Sequence, residues 1–282
     1  MITISTKDIE NILTDHNNGI PLTRKNKVFY QGQPGTLRHD AAFIYTHSEL
    51  QEYVKCATDV KYFISKYFQI ELRAFQEAWI DSFITNRFNI HMNSHQTGYS
   101  SIFSLVYLHY LIFNCDKNIL LVSNKGIEAE EFMSKLYNNY LKLPYFLKPG
   151  IVTRNRRSIK LSNGSKMSAG NFSEGIIDIL FYIGFARILP NLLDTHYIRN
   201  VAKLANDGRV VLQSTPNGMN KFMEFVQNSE RKDGDPEKNV FKTTRTYWWE
   251  VPGRDDAWKN NEIRIIGTQS FMQNFDLQFI TK

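Results

Sequence analysis

Only two cysteines occur in 282 residues, Cys56 and Cys115, far apart and in no metal-ligand spacing; no zinc site is expected, and a reduced, intracellular setting is. No uncharged apolar run reaches the length of a membrane span, and Met1-Ile-Thr-Ile-Ser-Thr-Lys-Asp8 lacks the apolar core of a signal peptide. The expected location is therefore the cytoplasm. Charge of one sign is also scarce: Lys+Arg 34 against Asp+Glu 28 leaves +6, which permits an acidic partner such as DNA without requiring one. What is present is core-forming material, 42% hydrophobic, ample for a large α/β domain.

Between the strand-like Phe88-Asn-Ile-His-Met92 and the apolar run Ile102–Phe113 lies a short polar loop, Asn93-Ser-His-Gln-Thr-Gly-Tyr-Ser-Ser101. Strand, tight loop and buried helix is the layout that turns backbone N–H groups and a helix N-terminus toward an anion. Gly98 and Ser100 match the end of the Walker A pattern, but Tyr99 stands where its lysine should be. A tyrosine hydroxyl is neutral at pH 7 and cannot replace a cation at the β- and γ-phosphates.

Residues 1–46, with the basic run Arg24–Lys27, read as an extended or loosely packed arm. A capping-box pattern at Ser48–Gln51 opens a helix over 48–67, and a second helical stretch runs through Trp79 to Arg87. Strands at 118–123, 176–183 and 209–214 alternate with helices at 127–141 and 193–205, which predicts βαβ units and a mainly parallel sheet. Asn206-Asp-Gly208 reads as the approach to the strand at 209, and 241–249 as an edge or late strand. The run 269–279 is apolar enough to dock on the core. Asn163-Gly164 marks a hairpin over 158–168, with Arg154, Arg156, Arg157, Lys160 and Lys166 around it. These five are candidate DNA contacts, although a solvated hairpin face accounts for them as well. At the end of strand 176–183, where a nucleotide hydrolase carries one acid for Mg²⁺ and one to position water, the chain has Gly184 and Phe185.

Several separated segments together resemble the ATPase half of the large terminase subunit of tailed bacteriophages, of the T4-like packaging-motor type. Leu72-Arg-Ala-Phe-Gln76 is similar to that family's adenine motif, with Arg73 and Gln76 at its key positions. Ser94, His95, Gln96, Thr97, Gly98, Tyr99, Ser100 and Ser101 resemble a deviant Walker A, with His95 where an arginine usually sits. Leu143–Val152 and Ser158–Ser165 look like the family's linker and hairpin. Phe181–Asn191 aligns with Walker B and its continuation, Gly184 and Phe185 replacing the aspartate and glutamate. Ser214, Thr215, Pro216, Asn217 and Gly218 resemble the coupling motif.

The resemblance implies a P-loop NTPase (RecA/ASCE-like) core over 68–282, an N-terminal arm and helical appendage over 1–67, and a β-hairpin insertion, with no nuclease domain. It implies viral DNA packaging, but the charged chemistry is missing from two motifs at once. The expectation is a pseudo-ATPase with no catalytic residue, no metal and no required cofactor, residual ATP binding without hydrolysis remaining open. Glu174 and Asp178 lie upstream of the Walker B position and Lys125 is expected at the surface. Tyr99 is expected to fill the phosphate pocket, His95 to be solvated and Phe185 to pack on the sheet. Expected partners are phage packaging, portal or capsid proteins in the host cytoplasm or in the virion. The alternatives are a working motor component that completes its ATP site in a hetero-oligomer with an intact terminase, and a DNA-binding module.

Overall fold

The protein, in a computed structural model, is described at residues 20–21, 29–42 and 45–280; the run Arg24–Lys27 lies outside them. Its helices are α1 (His47–Thr58), α2 (Val60–Phe68), α3 (Ala74–Thr85), α4 (Tyr99–Phe113), α5 (Gly126–Lys142), α6 (Pro190–Val201), α7 (Lys221–Ser229), α8 (Asp256–Ile266) and α9 (Thr268–Asn274). Its strands, apart from a two-residue parallel pairing of 20–21 with 41–42, are β1 (Phe88–Asn93), β2 (Asn118–Ser123), β3 (Ile151–Arg154), β4 (Ser158–Leu161), β5 (Lys166–Ala169), β6 (Ile177–Ile183), β7 (Leu204–Ser214) and β8 (Lys242–Thr246). The chain divides into two compact units.

One unit contains the residues up to Arg73, Ser100–Ile119 and Ile127–Ala169. The expected helix over 48–67 is two helices here. Asp59 sits between them in extended backbone and its carboxylate accepts from the Tyr62 N–H at 2.9 Å, so a mid-run N-cap interrupts the periodic pattern. The capping box is made by Thr46 and Glu49, not by Ser48 and Gln51, because Glu49 reaches back to the Thr46 N–H at 2.8 Å. Phe63, His109 and Phe113 pack together with ring centroids 4.8–5.7 Å apart. His109 Nε2–H donates to the Cys56 carbonyl at 2.8 Å, and burial holds its pKa down at about 4.

The antiparallel strands β4 and β5 of this unit form the expected hairpin, and β3 pairs antiparallel with β4 beside it. Its turn residue Asn163 is buried and donates to the carbonyls of Leu111, Ile112 and Asn114 at 2.8–3.1 Å. The turn thereby caps the C-terminus of α4, whose last carbonyls have no partner within the helix.

The segment 29–42 is not loosely packed. Thr36 and Leu37 are fully buried, the Ile151 N–H donates to Leu37 O at 2.7 Å, and Lys148 Nζ donates to Gly35 O at 2.7 Å and Leu141 O at 2.9 Å. Gly150 permits this approach: a Cβ there would lie 2.1 Å from Arg38 O and 2.6 Å from Arg38 C. Backbone cannot swing away as a side chain can, so Gly150→Ala is expected to destabilise the protein by about 3 kcal/mol. Urea denaturation checks this, and an unchanged midpoint would refute the packing.

The other unit contains Ala74–Tyr99, Leu120–Gly126 and the residues from Gly170 on. Its strand order is β8-β1-β7-β6-β2, with β8·β1, β1·β7 and β7·β6 parallel. β7 starts at Leu204, earlier than expected. Ile177 pairs with Leu204 and Ile179 with Arg209, so Asn206–Gly208 form a bulge inside the strand, and α6 ends at Val201. β8 stops at Thr246, since Tyr247 is capped by Glu250 and a 3₁₀ turn follows at Trp248–Glu250. One face of this sheet carries Ile90, Met92, Leu180, Tyr182, Val210 and Leu212, packed with Phe185, Phe222 and Phe241.

The opposite face of β1 is polar yet buried. Asn89 accepts from Ser82 at 2.7 Å, and His91 bonds Thr244 at 2.8 Å and has its pKa driven down to about 3 by burial. Asn93 is 1% exposed.

Candidate functional site

In open parallel sheets, ligands bind beyond the carboxyl ends of strands where the order reverses. Counting only these five strands the order is 5-1-4-3-2, which puts the ends of β1, β6 and β7 at that place. Three segments meet there: the loop after β1, the turn after β6 and the stretch after β7.

The loop from Ser94 to Gly98 uses left-handed backbone at Gln96 (φ 59°) and Gly98 (φ 84°) to reach α4. Ser94 and Thr97 are buried, Gln96 and Gly98 exposed, Ser100 half-buried and Ser101 exposed. At the loop's base, Asn93 has neither amide atom in a hydrogen bond within the protein. Tyr99 is 4% exposed. Its ring packs 5.1 Å from Trp79, 5.4 Å from His91 and 6.4 Å from Phe181, so the side chain at the lysine position lies among aromatic rings. Gln76 is buried as well and its Nε2 donates to Thr97 O at 3.4 Å, turning its amide toward the loop itself. Arg73 is exposed just before α3.

After β6, Gly184 adopts left-handed backbone (φ 67°) and starts a short 3₁₀ turn. Phe185 is fully buried, with ring centroids 5.3 Å from Tyr182, 5.7 Å from Phe225, 6.1 Å from Phe222 and 6.3 Å from Tyr197. Glu174 is exposed and Asp178 half-buried at the other end of the strand, while Lys125 is exposed.

Residues 214–220, at the end of β7 and after it, bond this turn. Ser214 Oγ accepts from the Ala186 N–H at 3.1 Å, and Asn217 and Asn220 donate to Ala186 O at 3.2 and 2.7 Å. Pro216 is buried, and Gly218 has φ 74°.

One arginine joins the three segments and a second fastens the first of them. Arg187 donates to Thr215 Oγ1 at 3.0 Å and to His95 Nε2 at 3.4 Å. Arg254 donates to the carbonyls of His95 at 3.0 Å and Gln96 at 3.3 Å and to Ser94 Oγ at 3.5 Å. Its guanidinium lies 4.6 Å over the Trp258 ring, and the His95 N–H donates to Asn274 O at 3.1 Å. The chain after β8 thus fastens the loop from outside.

His95 is not the solvated residue expected from its polar loop. It is half-buried, and burial, then Arg187 and Arg254, hold its pKa below the usual imidazole range; it is neutral, with Nε2 accepting. Arg254 was missed because nothing local marks it, as its partners lie 158–160 residues away. Arg187 stands inside the Walker B-like run, but only the fold brings it to His95. The cluster offers two guanidinium cations and no carboxylate at positions 184 and 185. Among the described residues no group of three or more His, Cys, Asp or Glu side chains could hold a metal.

The five basic residues in the first unit do not form one patch. Lys160 faces Lys166 directly across β4 and β5. Arg154 pairs with Ile159 and so lies on the other face, where Arg157 Nε donates to Glu130 of α5 at 2.8 Å.

No family model matches the chain. Among solved structures it is similar to the large terminase ATPase domain of Thermus phage P74-26, with a TM-score of 0.64 and 17% identity over 77% of this chain and 97% of that one. It is also similar to the large terminase of bacteriophage HK97, with a TM-score of 0.57 and 14% identity over 74% of this chain and 50% of that one. A large terminase from a thermophilic bacteriophage gives 0.58 and 9% over 75% and 54%. The chain spans about half the length of the last two. At such identities the likeness is one of fold: an α/β arrangement of parallel and antiparallel strands flanked by helices, as in those ATPase domains. No helix among the described residues is long and apolar enough to cross a membrane.

Proposed function

We propose that this chain, folded as the ATPase domain of large terminases is, serves viral DNA packaging as a hydrolysis-incompetent component that binds or assembles with packaging, portal or capsid proteins in the infected cell. The motif pattern allies it with the T4-like terminases. One observation carries the reading: Tyr99 lies among aromatic rings and Phe185 lies in the core, so neither the lysine nor the Walker B acid position presents charge to a nucleotide. Catalysis of phosphoryl transfer rests on positioning and electrostatic stabilisation. A charge-assisted hydrogen bond is worth about 1.5–3 kcal/mol, and losing several removes turnover even when they are not additive.

The purified protein is expected to release no phosphate from Mg-ATP above the buffer rate. Mg²⁺-dependent release that disappears in Ser100→Ala would overturn the proposal. Titration of ATP with and without Mg²⁺ separates a closed pocket from metal-free retention on Arg187 and Arg254.

A second reading, DNA binding through the basic residues of the other unit, is favoured by the pairing of Lys160 with Lys166. Like charges directly opposite on neighbouring strands oppose the pairing, and a polyanion would relieve that. Affinity for duplex DNA should fall steeply with salt, and unchanged affinity would refute it.

A further inference from the structure

A small cavity in the first unit, about 50 Å³, is lined in part by Ser134 and Tyr137 of α5, by Arg154, Asn155 and Arg156, and by Ser158. A water needs about 10–15 Å³ of such space, so the room equals about four oxygen-sized atoms, the size of a tetrahedral oxyanion. Arg154 is held in place: its guanidinium stacks 3.5 Å over the Tyr137 ring, its backbone N–H donates to Tyr30 Oη at 3.1 Å, and Tyr137 OH donates to Gln33 Oε1 at 2.6 Å. A stacked guanidinium keeps its N–H edge for an acceptor in the plane of the fork. Glu130 is engaged by Arg157, and neither Arg154 nor Arg156 makes an ion pair among the described residues. Two arginines thus line a cavity that has no acid among its lining residues, only Met133 and Ile159 besides the polar ones, a composition suited to phosphate, which guanidinium forks recognise.

We propose that this cavity seats one phosphate group of a DNA backbone, gripped by Arg154 and Arg156; the inference rests on the DNA-binding reading above. The lysines Lys160 and Lys166 on the opposite hairpin face are then not part of this grip.

The test measures binding of a short DNA duplex between about 50 and 200 mM salt, for the native protein, Arg154→Gln, Arg156→Gln and the double variant Lys160→Gln/Lys166→Gln. Each arginine variant is expected to weaken binding about 10-fold or more, as for loss of a charge-assisted bond, and to reduce the slope of log K against log salt by about 0.9. The lysine variant should leave the arginine effect intact. In parallel, inorganic phosphate is titrated while the arginine Nε–H resonances are followed by NMR, where those of Arg154 and Arg156 should shift with saturation. Duplex bound with an unchanged slope in both arginine variants overturns the proposal and leaves the DNA reading standing. No duplex bound at the lowest salt overturns the DNA reading and the DNA source together. The phosphate arm then decides the cavity itself, saturable shifts keeping it as a site for free phosphate and their absence removing it.

Discussion

Phe185→Glu is expected to cost the protein most of its stability and to return no phosphate release, although it restores an acid where Walker B has one. The ring is fully buried among Tyr182, Tyr197, Phe222 and Phe225. Truncating a buried phenylalanine costs about 3–5 kcal/mol, and a carboxyl without a partner in that place adds its desolvation or is forced to stay protonated. Against a total stability of about 5–15 kcal/mol, little remains. Gly184→Asp should behave differently. Position 184 has φ 67°, a conformation aspartate visits more readily than most residues, but it is buried, so the carboxyl there costs about 1–3 kcal/mol in desolvation, without the further loss of a buried ring. Urea unfolding of the two variants side by side makes the comparison, and equal stabilities would contradict the burial of Phe185.

Acid is expected to unfold the protein well before its carboxylates are fully protonated. His91 and His109 have folded pKa values of about 3 and about 4 because burial opposes their charged forms, whereas in an unfolded chain each titrates near 6.5. The unfolded chain therefore takes up protons first as the pH falls, and stability that is complete above about 6.5 drains away toward pH 4. Each pH unit of that interval is worth about 1.4 kcal/mol per histidine, so His109 alone withdraws about 3 kcal/mol by pH 4. The urea midpoint followed from pH 7 to pH 4 reads the slope. His109→Gln, which keeps a donor for the Cys56 carbonyl, should flatten it, and an unaltered slope in that variant would assign the acid sensitivity elsewhere.

The strand-loop-helix around Asn93–Ser101 and the hairpin at Asn163-Gly164 were legible because each depends on neighbours in sequence. Apolar periodicity, a loop with Gly98 and a turn dipeptide need no distant partner. Other features did not have that property. Asp59 as an N-cap competes with an unbroken helical pattern, and only the geometry of the turn reveals it. The bulge at Asn206–Gly208 looks like a turn from sequence, because Asn-Asp-Gly favours one, and is drawn into β7 by its pairing with β6. That Tyr99 and His95 stand in the loop could be read off the sequence, but their surroundings could not. The inward direction of Tyr99 depends on Trp79, His91 and Phe181 arriving from three elements, and the arginine clamp on His95 depends on residues far along the chain.

The place of β1 between β7 and β8 also sets a timetable. Both edges of this strand are completed by residues 204–214 and 242–246, and its loop is fastened only when Arg254 and Asn274 arrive. At a synthesis rate of about 5–20 residues per second, Asn274 follows His95 from the ribosome by roughly 10–40 s. Until residues 204–214 are made both edges of β1 are open, and until 242–246 are made one still is, which is a hazard for pairing with other chains. The unit that holds the loop after β1 is therefore expected to become native only after residue 274 has been made, because that loop is fastened by Arg254 and Asn274.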